Sequence, residues 1–237
     1  MLGIILAGGK GERLRPLTDH MPKVLIPVQG KALLEHVIEL LKAAGVDEVV
    51  LSTGHMGDKV REHFANRDVG VKLSFLHETT PRGTAGPLLM LREAGRIPAD
   101  DFYLINGDNL FSTDLRAMMA CHRAHGGAAT IGLHQVDDPS AYGVVRLEGD
   151  RIVEFVEKPA RGQAPSTLIN SGYAILSPAA FAYVPSKSVV MNEYDVYPAL
   201  AKAGLLYGHR GEGQWFDTGT AERYLQVQRE WRKPRKQ

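Results

Sequence analysis

Residues 2–28, LGIILAGGKGERLRPLTDHMPKVLIPV, form the stretch on which the prediction of the fold depends. It begins with a short apolar run, residues 2–6, which is long enough for one buried β-strand. A loop with three glycines in four residues follows: Gly8, Gly9 and Gly11. Glycine lets a backbone turn sharply and bring its N–H groups to a ligand without a clash from Cβ. The pattern therefore predicts a ligand-binding turn at the end of the first strand.

Four cationic side chains lie on or just after this loop, and they indicate an anion with several charges: Lys10, Arg13, Arg15 and Lys23. A polyphosphate is the obvious candidate. The spacing excludes two better-known phosphate loops, because the dinucleotide fingerprint needs glycine where Leu14 stands and a Walker A loop needs Ser or Thr after its lysine. The alternative is a glycine-rich surface turn with solvated charges, which the cations and the following Pro22-Lys23 make the less favoured interpretation.

The segment resembles the N-terminal motif of the sugar-1-phosphate nucleotidyltransferases (NDP-sugar pyrophosphorylases), G-G-x-G-x-R-L-x-P-L-T followed by P-K. Members of that family join a nucleoside triphosphate to a sugar 1-phosphate and release pyrophosphate. The resemblance implies an α/β fold: a three-layer α/β/α Rossmann-like domain with a mixed, mostly parallel sheet. Some relatives continue into a C-terminal β-helix, which we do not expect here. By the same resemblance, Arg13, Lys23 and Asp108 are catalytic, and the nucleotide contacts Leu6, Ala7, Gly8, Gly9 and Gly11.

Composition sets broad limits on the class of protein. The chain has 237 residues, of which 44% are hydrophobic and 23% charged, and its net charge is +1. This suits one large globular domain or two small ones, and no global field favours nucleic acid as a partner. There is no apolar run near eighteen residues and no cationic leader, so we expect a soluble, cytoplasmic protein without a membrane partner. Oligomeric state is not readable, and a homo-oligomer stays open.

The hydrophobic periodicity predicts alternating strands and helices through residue 136, and hence a parallel-rich sheet. Beyond that point, residues 144–147 and 151–157 flank Glu148-Gly149-Asp150 and predict a β-hairpin. Further helices are expected at 178–184, 193–203 and 220–231. We predict one nucleotidyltransferase domain over 1–231, with a nucleotide-binding half (about 1–125), a sugar-phosphate half (about 126–231) and a basic tail (232–237).

A second candidate segment, residues 78–88, is rich in turn-forming residues ahead of a helix expected at 84–94. Its G-T-A-G-P-L string resembles the base-binding segment of mannose-1-phosphate guanylyltransferases. Small residues there would let a flat base approach the backbone, and the nucleotide-binding set therefore includes Glu78, Gly83 and Thr84. A carboxylate at Glu78 matches the N1–H and N2–H₂ edge of guanine, which favours GTP. The alternative is a helix-start loop with an exposed Glu78.

Two aspartates are candidates for a Mg²⁺ site. Asp108 follows a buried strand, and Asp217 lies in Trp215-Phe216-Asp217-Thr218-Gly219-Thr220. Mg²⁺ prefers a carboxylate or two together with substrate phosphate oxygens. The family pattern pairs the two aspartates on one metal, although sequence alone cannot show that they meet. Each could instead serve a turn, and Asp217 is a candidate helix N-cap.

The resemblance also extends to a sugar-phosphate site. The Glu of E-K-P in the family binds sugar hydroxyls and the Lys holds the sugar phosphate, which implies these roles for Glu157 and Lys158. Gly143 and Asn170 resemble the sugar-contacting glycine and asparagine. Asp195 either orients Lys158 or caps a helix. His122 and His125 lie three apart on one predicted helix but have no evident third ligand, so packed or solvated histidines are favoured over a metal pair.

Together these features favour transfer of a nucleotide from GTP to mannose 1-phosphate or a related sugar. The same chemistry with dTTP, UTP or CTP and with glucose 1-phosphate or another sugar is the nearest rival, since Asn109 is more typical of thymidylyl than of guanylyl enzymes. Val24 also departs from the family pattern, because many relatives have a second proline there. Two rivals of a different class are a non-catalytic, nucleotide-sugar-binding regulatory homologue and an unrelated nucleotide-binding oxidoreductase. The missing third glycine disfavours the oxidoreductase.

Overall fold

The computed structural model describes residues 1–233. These residues form two compact units, each assembled from separate runs of chain. Among the described residues, the first unit contains Met1–Thr80, Ile105–Thr113 and residues 213–233, and the second contains Pro81–Leu104 and Asp114–Glu212. This interleaved division differs from the expected boundary near residue 125, because two later segments return to the first unit.

Thirteen strands are present in residues 1–233: β1 (Leu2–Ala7), β2 (Pro27–Val28), β3 (Lys31–Ala32), β4 (Glu48–Thr53), β5 (Lys72–His77), β6 (Phe102–Asn106), β7 (Asn109–Phe111), β8 (Ala129–Gln135), β9 (Gly143–Glu148), β10 (Arg151–Glu157), β11 (Leu168–Leu176), β12 (Leu206–Arg210) and β13 (Trp215–Asp217).

The same residues form six α-helices: α1 (Leu33–Ala43), α2 (Gly57–Phe64), α3 (Gly86–Glu93), α4 (Leu115–His125), α5 (Tyr197–Lys202) and α6 (Ala221–Glu230). Short 3₁₀ turns cover Glu12–Leu14, Lys23–Leu25 and Pro178–Tyr183, and a π-helical turn covers Asn192–Val196. None of the helices within residues 1–233 has the length and apolar character needed to cross a membrane.

The first unit contains parallel strands in the order β5-β4-β1. Helix α1 buries an apolar stripe that includes Leu34, Val37 and Leu41. The helix approaches β1 closely, since a Cβ on Gly3 would lie 2.9 Å from Leu41 Cδ1. A separate antiparallel pair, β7 and β13, sets Asp217 opposite Asn109. This short ladder joins two segments about a hundred residues apart in the chain.

The second unit contains strands in the order β11-β8-β12-β10-β9. Only β12 and β8 run parallel among the pairs described here, and the others are antiparallel. The sheet pairing is thus mixed, as predicted, with the expected parallel strands mainly in the first unit. The predicted hairpin is confirmed as β9 and β10, which set Glu157 opposite Gly143.

Several predicted boundaries need correction. The apolar periodicity of residues 31–44 predicts a helix that begins at Lys31, whereas α1 begins at Leu33, because Lys31 and Ala32 pair with β2. The helix expected over 193–203 is divided into the π-helical turn and α5, and the segment at 178–184 is 3₁₀. Strands β2, β3 and β7 are two or three residues long and were not predicted.

The expected basic tail is held in place in its described part. Helix α6 ends at Glu230, and Trp231 is buried against His36 and Phe216 in edge-to-face contacts. Lys233 Nζ lies 2.8 Å from Glu39 Oε2. Residues 234–237 of that expected tail lie outside the described residues.

Candidate active site

The glycine loop after β1 has the tight geometry that its sequence predicted. Gly11 adopts a left-handed conformation with φ of 66°. A Cβ on Gly11 would lie 2.9 Å from Thr18 Cγ2 and 3.0 Å from Lys23 Cβ, so both backbone conformation and space require glycine. Thr18 Oγ1 donates to the Gly11 carbonyl at 2.9 Å. Gly9 has open space on its Cβ side, which leaves that part of the loop accessible to a ligand.

Lys23 lies beside this loop and is directed at Asp108. Its side chain is only 9% exposed, and its Nζ lies 2.6 Å from Asp108 Oδ2. Asp108 stands in the turn between β6 and β7. Gly107 lets this turn pack on the end of β1, because its N–H donates to the Leu6 carbonyl at 2.9 Å and a Cβ there would lie 2.8 Å from the same oxygen.

In the β7–β13 ladder Asp217 lies opposite Asn109, the residue that follows Asp108. The Thr218 hydroxyl donates to the Asp108 carbonyl at 2.8 Å, which fixes the two segments side by side. Asp217 is 13% exposed and accepts hydrogen bonds from Gly219 N–H and from Arg223 Nη1. A Cβ on Gly219 would lie 2.6 Å from Asp217 Oδ1 and 3.1 Å from Arg13 Nη2. The first unit therefore brings together Arg13, Lys23, Asp108 and Asp217.

The alternative of Asp217 as the cap of α6 is wrong. The N-cap is Thr220, whose hydroxyl accepts from Arg223 N–H at 3.3 Å. Asp217 closes a turn onto Gly219 N–H instead, and its second oxygen faces Arg223.

The donor set formed by Asp108 and Asp217 fits a hard divalent cation. Within residues 1–233 no group of three or more His, Cys, Asp or Glu side chains could hold a metal. Two aspartates on adjacent segments beside a cationic glycine loop match the requirement of Mg²⁺ for few protein ligands plus phosphate oxygens. In the structure, each carboxylate is paired with a cationic side chain, Lys23 or Arg223.

Glu78 follows β5 and is anchored rather than fully exposed. Its N–H donates to the Thr53 carbonyl at 2.8 Å, and its Oε1 accepts from the Ser52 hydroxyl at 3.1 Å. Ser52 itself is buried. The half-buried carboxylate thus has a defined position at the end of its strand, unlike the exposed Glu78 of the alternative interpretation.

Gly83 and Thr84 belong to the second unit, where contacts within that unit account for both. Gly83 has φ of 85°, and a Cβ there would overlap the Val190 carbonyl oxygen. The space that was expected to admit a base on this side of Gly83 is therefore filled by backbone. The Thr84 hydroxyl donates to Glu193 Oε2 at 2.5 Å and accepts from Asn192 N–H at 2.8 Å. Helix α3 begins at Gly86 rather than at Thr84.

Gly143 and Glu157 face each other across the β9–β10 hairpin. A Cβ on Gly143 would lie 2.5 Å from Phe155 Cζ and 2.8 Å from Glu157 Oε2, so only glycine fits. The Glu157 side chain is 9% exposed. Burial, and next the negative charge of Glu193, raise the pKa of Glu157, while Lys158 opposes this effect. Lys158 Nζ lies 3.3 Å from Glu157 Oε1 on a side chain that is 61% exposed.

The remaining residues of the expected sugar site have local partners. Asn170 Oδ1 accepts from Gly172 N–H at 3.0 Å, within the irregular part of β11. Asp195 accepts from Lys187 Nζ at 2.7 Å and from Met191 N–H at 2.9 Å. The described partners of Asp195 are thus Lys187 and a backbone amide, rather than Lys158.

The histidines of α4 are packed, as the sequence favoured. His122 is buried, its Nδ1 lies 2.9 Å from Thr130 Oγ1, and burial lowers its pKa. His125 Nδ1 lies 2.8 Å from the Cys121 carbonyl. Cys121 is half-buried, and burial raises the pKa of its thiol, which fits a packing role.

Comparison with known proteins gives independent evidence on the family of this chain. Residues 2–233 match the profile of the family described as nucleotidyl transferase. The chain belongs to the nucleotidyl transferase family. The resemblance stated from the glycine loop is thereby confirmed, and with it the α/β fold class.

Curated members of the family extend this relation. The chain is 37% identical over 229 residues to the mannose-1-phosphate guanylyltransferase catalytic subunit beta of Xenopus tropicalis, covering 95% of this chain and 63% of the relative. It is 36% identical, with the same coverage, to the subunit of that name from Dictyostelium discoideum. The chain therefore spans less than two thirds of the length of these relatives.

Solved structures of family members cover almost the whole chain. A Bacillus anthracis protein assigned as a glucose-1-phosphate thymidylyltransferase, in complex with sucrose, superposes with a TM-score of 0.85 at 28% identity, covering 100% of this chain and 98% of that one. HddC from Yersinia pseudotuberculosis, complexed with GMP-PN, superposes with a TM-score of 0.77 at 26% identity, covering 95% and 97%.

Two site contacts were not predicted from the sequence. Arg223 contacts Asp217 from the first turn of α6, and Glu193 contacts Thr84 from the π-helical turn. The acidic stretch containing Glu193 was visible as a pattern, but its partner was not. No local signal distinguishes Arg223 from the other charged residues of a surface helix.

Proposed function

We propose that the chain is a sugar-1-phosphate nucleotidyltransferase that joins GTP to mannose 1-phosphate and releases pyrophosphate. The observation that carries the proposal is the placement of Lys23, Asp108 and Asp217 beside the glycine loop in a member of this family. The substrates are then a nucleoside triphosphate and a sugar 1-phosphate.

The reaction is a substitution at the α-phosphorus. An oxygen of the sugar phosphate attacks that phosphorus, the bond to the β-phosphate oxygen breaks, and pyrophosphate leaves. The nucleophile is already an anion near neutral pH, so the chain needs no general base. Its contribution is alignment and neutralisation of charge, as in phosphoryl transfer generally.

The chain's own cations and N–H groups hold the phosphates. Arg13 and the loop N–H groups bind the β- and γ-phosphates, and Lys23 neutralises charge at the α-phosphate. Lys158, on its exposed side chain, holds the incoming sugar phosphate. Asp108 and Asp217 would hold Mg²⁺, which neutralises phosphate oxygens of both substrates when it is bound.

The preference for guanine rests on Glu78, and the preference for a sugar rests on the hairpin. The Glu78 carboxylate, oriented by Ser52, can accept two N–H bonds from the guanine edge. Glu157 and Asn170 offer acceptors for sugar hydroxyls, and the absence of a side chain at Gly143 lets the Glu157 carboxylate keep its position. The guanylyltransferase names of the curated relatives support the same choice.

The second candidate is thymidylyl transfer to glucose 1-phosphate. It is favoured by Asn109 after Gly107-Asp108 and by the similarity to the Bacillus anthracis protein. Both candidates share the phosphate and metal chemistry and differ only in the base and the sugar.

A substrate panel tests the proposal. The purified chain is incubated with Mg²⁺ and each pairing of GTP, dTTP, UTP or CTP with mannose 1-phosphate or glucose 1-phosphate, and pyrophosphate release is measured. We expect GTP with mannose 1-phosphate to give the highest kcat/KM. A higher value for dTTP with glucose 1-phosphate would select the second candidate. Binding of nucleotide without pyrophosphate release from any pair would identify a regulatory homologue.

A further inference from the structure

Arg223 is a cation in a position that its own helix disfavours. It lies in the first turn of α6, where the positive end of the helix dipole repels positive charge. Its Nη1 nevertheless contacts Asp217 Oδ2, and its side chain is 35% exposed. The contact with Asp217 offsets the unfavourable dipole, so Arg223 is better explained by this ion pair than by helix formation.

The ion pair occupies a carboxylate that the proposed reaction needs. Asp217 also accepts a hydrogen bond from the Gly219 N–H, and its side chain is only 13% exposed. A divalent cation that binds Asp217 competes with the guanidinium for the same oxygens. Two positive charges on one carboxylate repel each other, so the guanidinium must withdraw or weaken its contact when the metal enters.

Arg223 differs in this respect from Lys23. The Lys23–Asp108 pair belongs to the proposed reaction, in which Lys23 also neutralises the α-phosphate. Arg223 has no role in that reaction, yet it makes the corresponding contact with the second aspartate. Each carboxylate of the candidate metal site thus has its own counter-ion within the first unit.

We propose that Arg223 is a positioning residue that holds Asp217 until a divalent cation displaces its guanidinium, and that it thereby lowers the affinity of Asp217 for the cation. The inference rests on the proposed function only in taking Asp217 as a metal ligand. It makes a prediction for metal binding in the absence of either substrate.

The test is a titration with Mn²⁺ alone, in which free Mn²⁺ is measured by its electron paramagnetic resonance signal. The full chain is compared with R223Q and R223M, which remove the charge, and with R223K, which keeps it. R229Q, an exposed arginine in the last turn of the same helix, is the matched control. Because both R223Q and R223M are neutral, the comparison can still be made if one of the two variants folds poorly.

We expect R223Q and R223M to bind Mn²⁺ about fivefold or more tightly than the unmodified chain, the equivalent of about 1 kcal/mol for a part-exposed ion pair. R223K and R229Q should stay near the unmodified value. Adding Asp217→Asn to R223Q should abolish the gain. The proposal is overturned if the unmodified chain and the neutral Arg223 variants bind Mn²⁺ equally, which includes the case in which neither binds detectably. It is also overturned if R223Q still binds Mn²⁺ more tightly when Asp217→Asn is added. Failure of the proposed function would appear separately, as absent pyrophosphate release in the substrate panel.

Discussion

Lys23 concentrates the proposed chemistry in one buried cation. Its Nζ lies 2.6 Å from Asp108 Oδ2, and its side chain is almost fully shielded from solvent. The alignment of this charge is set by the 3₁₀ turn Lys23–Leu25 and by the packing of Gly11 on its Cβ. A pre-aligned cation of this kind is effective because it needs no reorganisation during the reaction.

Lys23→Ala should therefore lower kcat by about 10² to 10³-fold. The fold should persist, because Asp108 retains access to water after its partner is removed. Pyrophosphate release and circular dichroism melting measure the two effects. Lys202→Ala, at an exposed position in the last turn of α5, is the matched control. Near-normal turnover of the Lys23 variant would remove this residue from the mechanism.

Asp108→Asn should lower activity, and added Mg²⁺ should restore only part of it, since an amide is a weaker ligand than a carboxylate. The dependence of pyrophosphate release on Mg²⁺ concentration measures the change. An unaltered Mg²⁺ dependence would reject the metal role of Asp108.

Gly143→Ala should raise the KM for the sugar phosphate more than it changes kcat. The added methyl group would overlap Phe155 and the Glu157 carboxylate, so Glu157 must move. Gly149→Ala in the same hairpin has open space but a φ of 62°, and it should cost about 1 kcal/mol of stability without changing KM. Equal KM values for the two variants would argue against a sugar contact at Glu157.

The sequence predicts a site residue well when the residue belongs to a motif. It predicts a site residue poorly when its role depends on a contact with another segment of the chain. Lys23, Asp108 and Glu157 each stand in a short, ordered string of residues. Arg223 does not, because its contact with Asp217 depends on how β13 leads into α6. Gly83 shows a different limit of prediction. The sequence predicted that the absence of a side chain at Gly83 would let a base approach, but the Val190 carbonyl occupies that space.

At the scale of elements, long periodic segments were predicted closely and short ones were not. Strand β10 has the predicted bounds of 151–157, and α6 covers residues 221–230 of the helix expected at 220–231. The strands that were not predicted, β2, β3 and β7, have only two or three residues each. Pairing with another strand stabilises such short strands, and hydrophobic periodicity does not report it.

The N-cap of α4 gives a test at this scale. Asp114 Oδ1 accepts from the N–H groups of Arg116 and Ala117 at 2.9 and 3.0 Å. Asp114→Ala should lower the free energy of unfolding by about 1 kcal/mol, whereas Asp114→Asn, an equally good cap, should change it little. Urea unfolding measures both. Similar losses in the two variants would mean that the charge of Asp114, rather than its capping bonds, stabilises the helix.

For the whole molecule, four buried or half-buried histidines predict the response of stability to mild acid. Burial lowers the pKa of all four from the ordinary 6.5: His36, His122, His134 and His209. The folded chain then binds fewer protons than the unfolded chain below that pH, so the free energy of unfolding falls as the pH falls through 6.5. The raised pKa of Glu157 has the opposite effect on stability. Above pH 4.5 the folded chain keeps a proton on Glu157 that the unfolded chain has lost, so acidification towards pH 4.5 stabilises the fold through this group.

Urea unfolding between pH 8 and about 5.5 should therefore show a steady loss of stability, mainly below about pH 6.5. His122→Gln should reduce the slope, and His55→Gln, at an exposed position, should leave it unchanged. Stability that stays constant or rises on acidification would show that these histidines do not control the response.

The interleaved first unit has a consequence for protein synthesis. The ribosome translates the glycine loop about two hundred residues before strand β13, which contains Asp217. Until β13 is made, β7 lacks its antiparallel neighbour, and Asp108 lacks the adjacent segment that contains Asp217 and Thr218. A polypeptide that ends before β13 would contain the glycine loop and Asp108 but not Asp217, so the proposed metal site could form only after β13 has been translated.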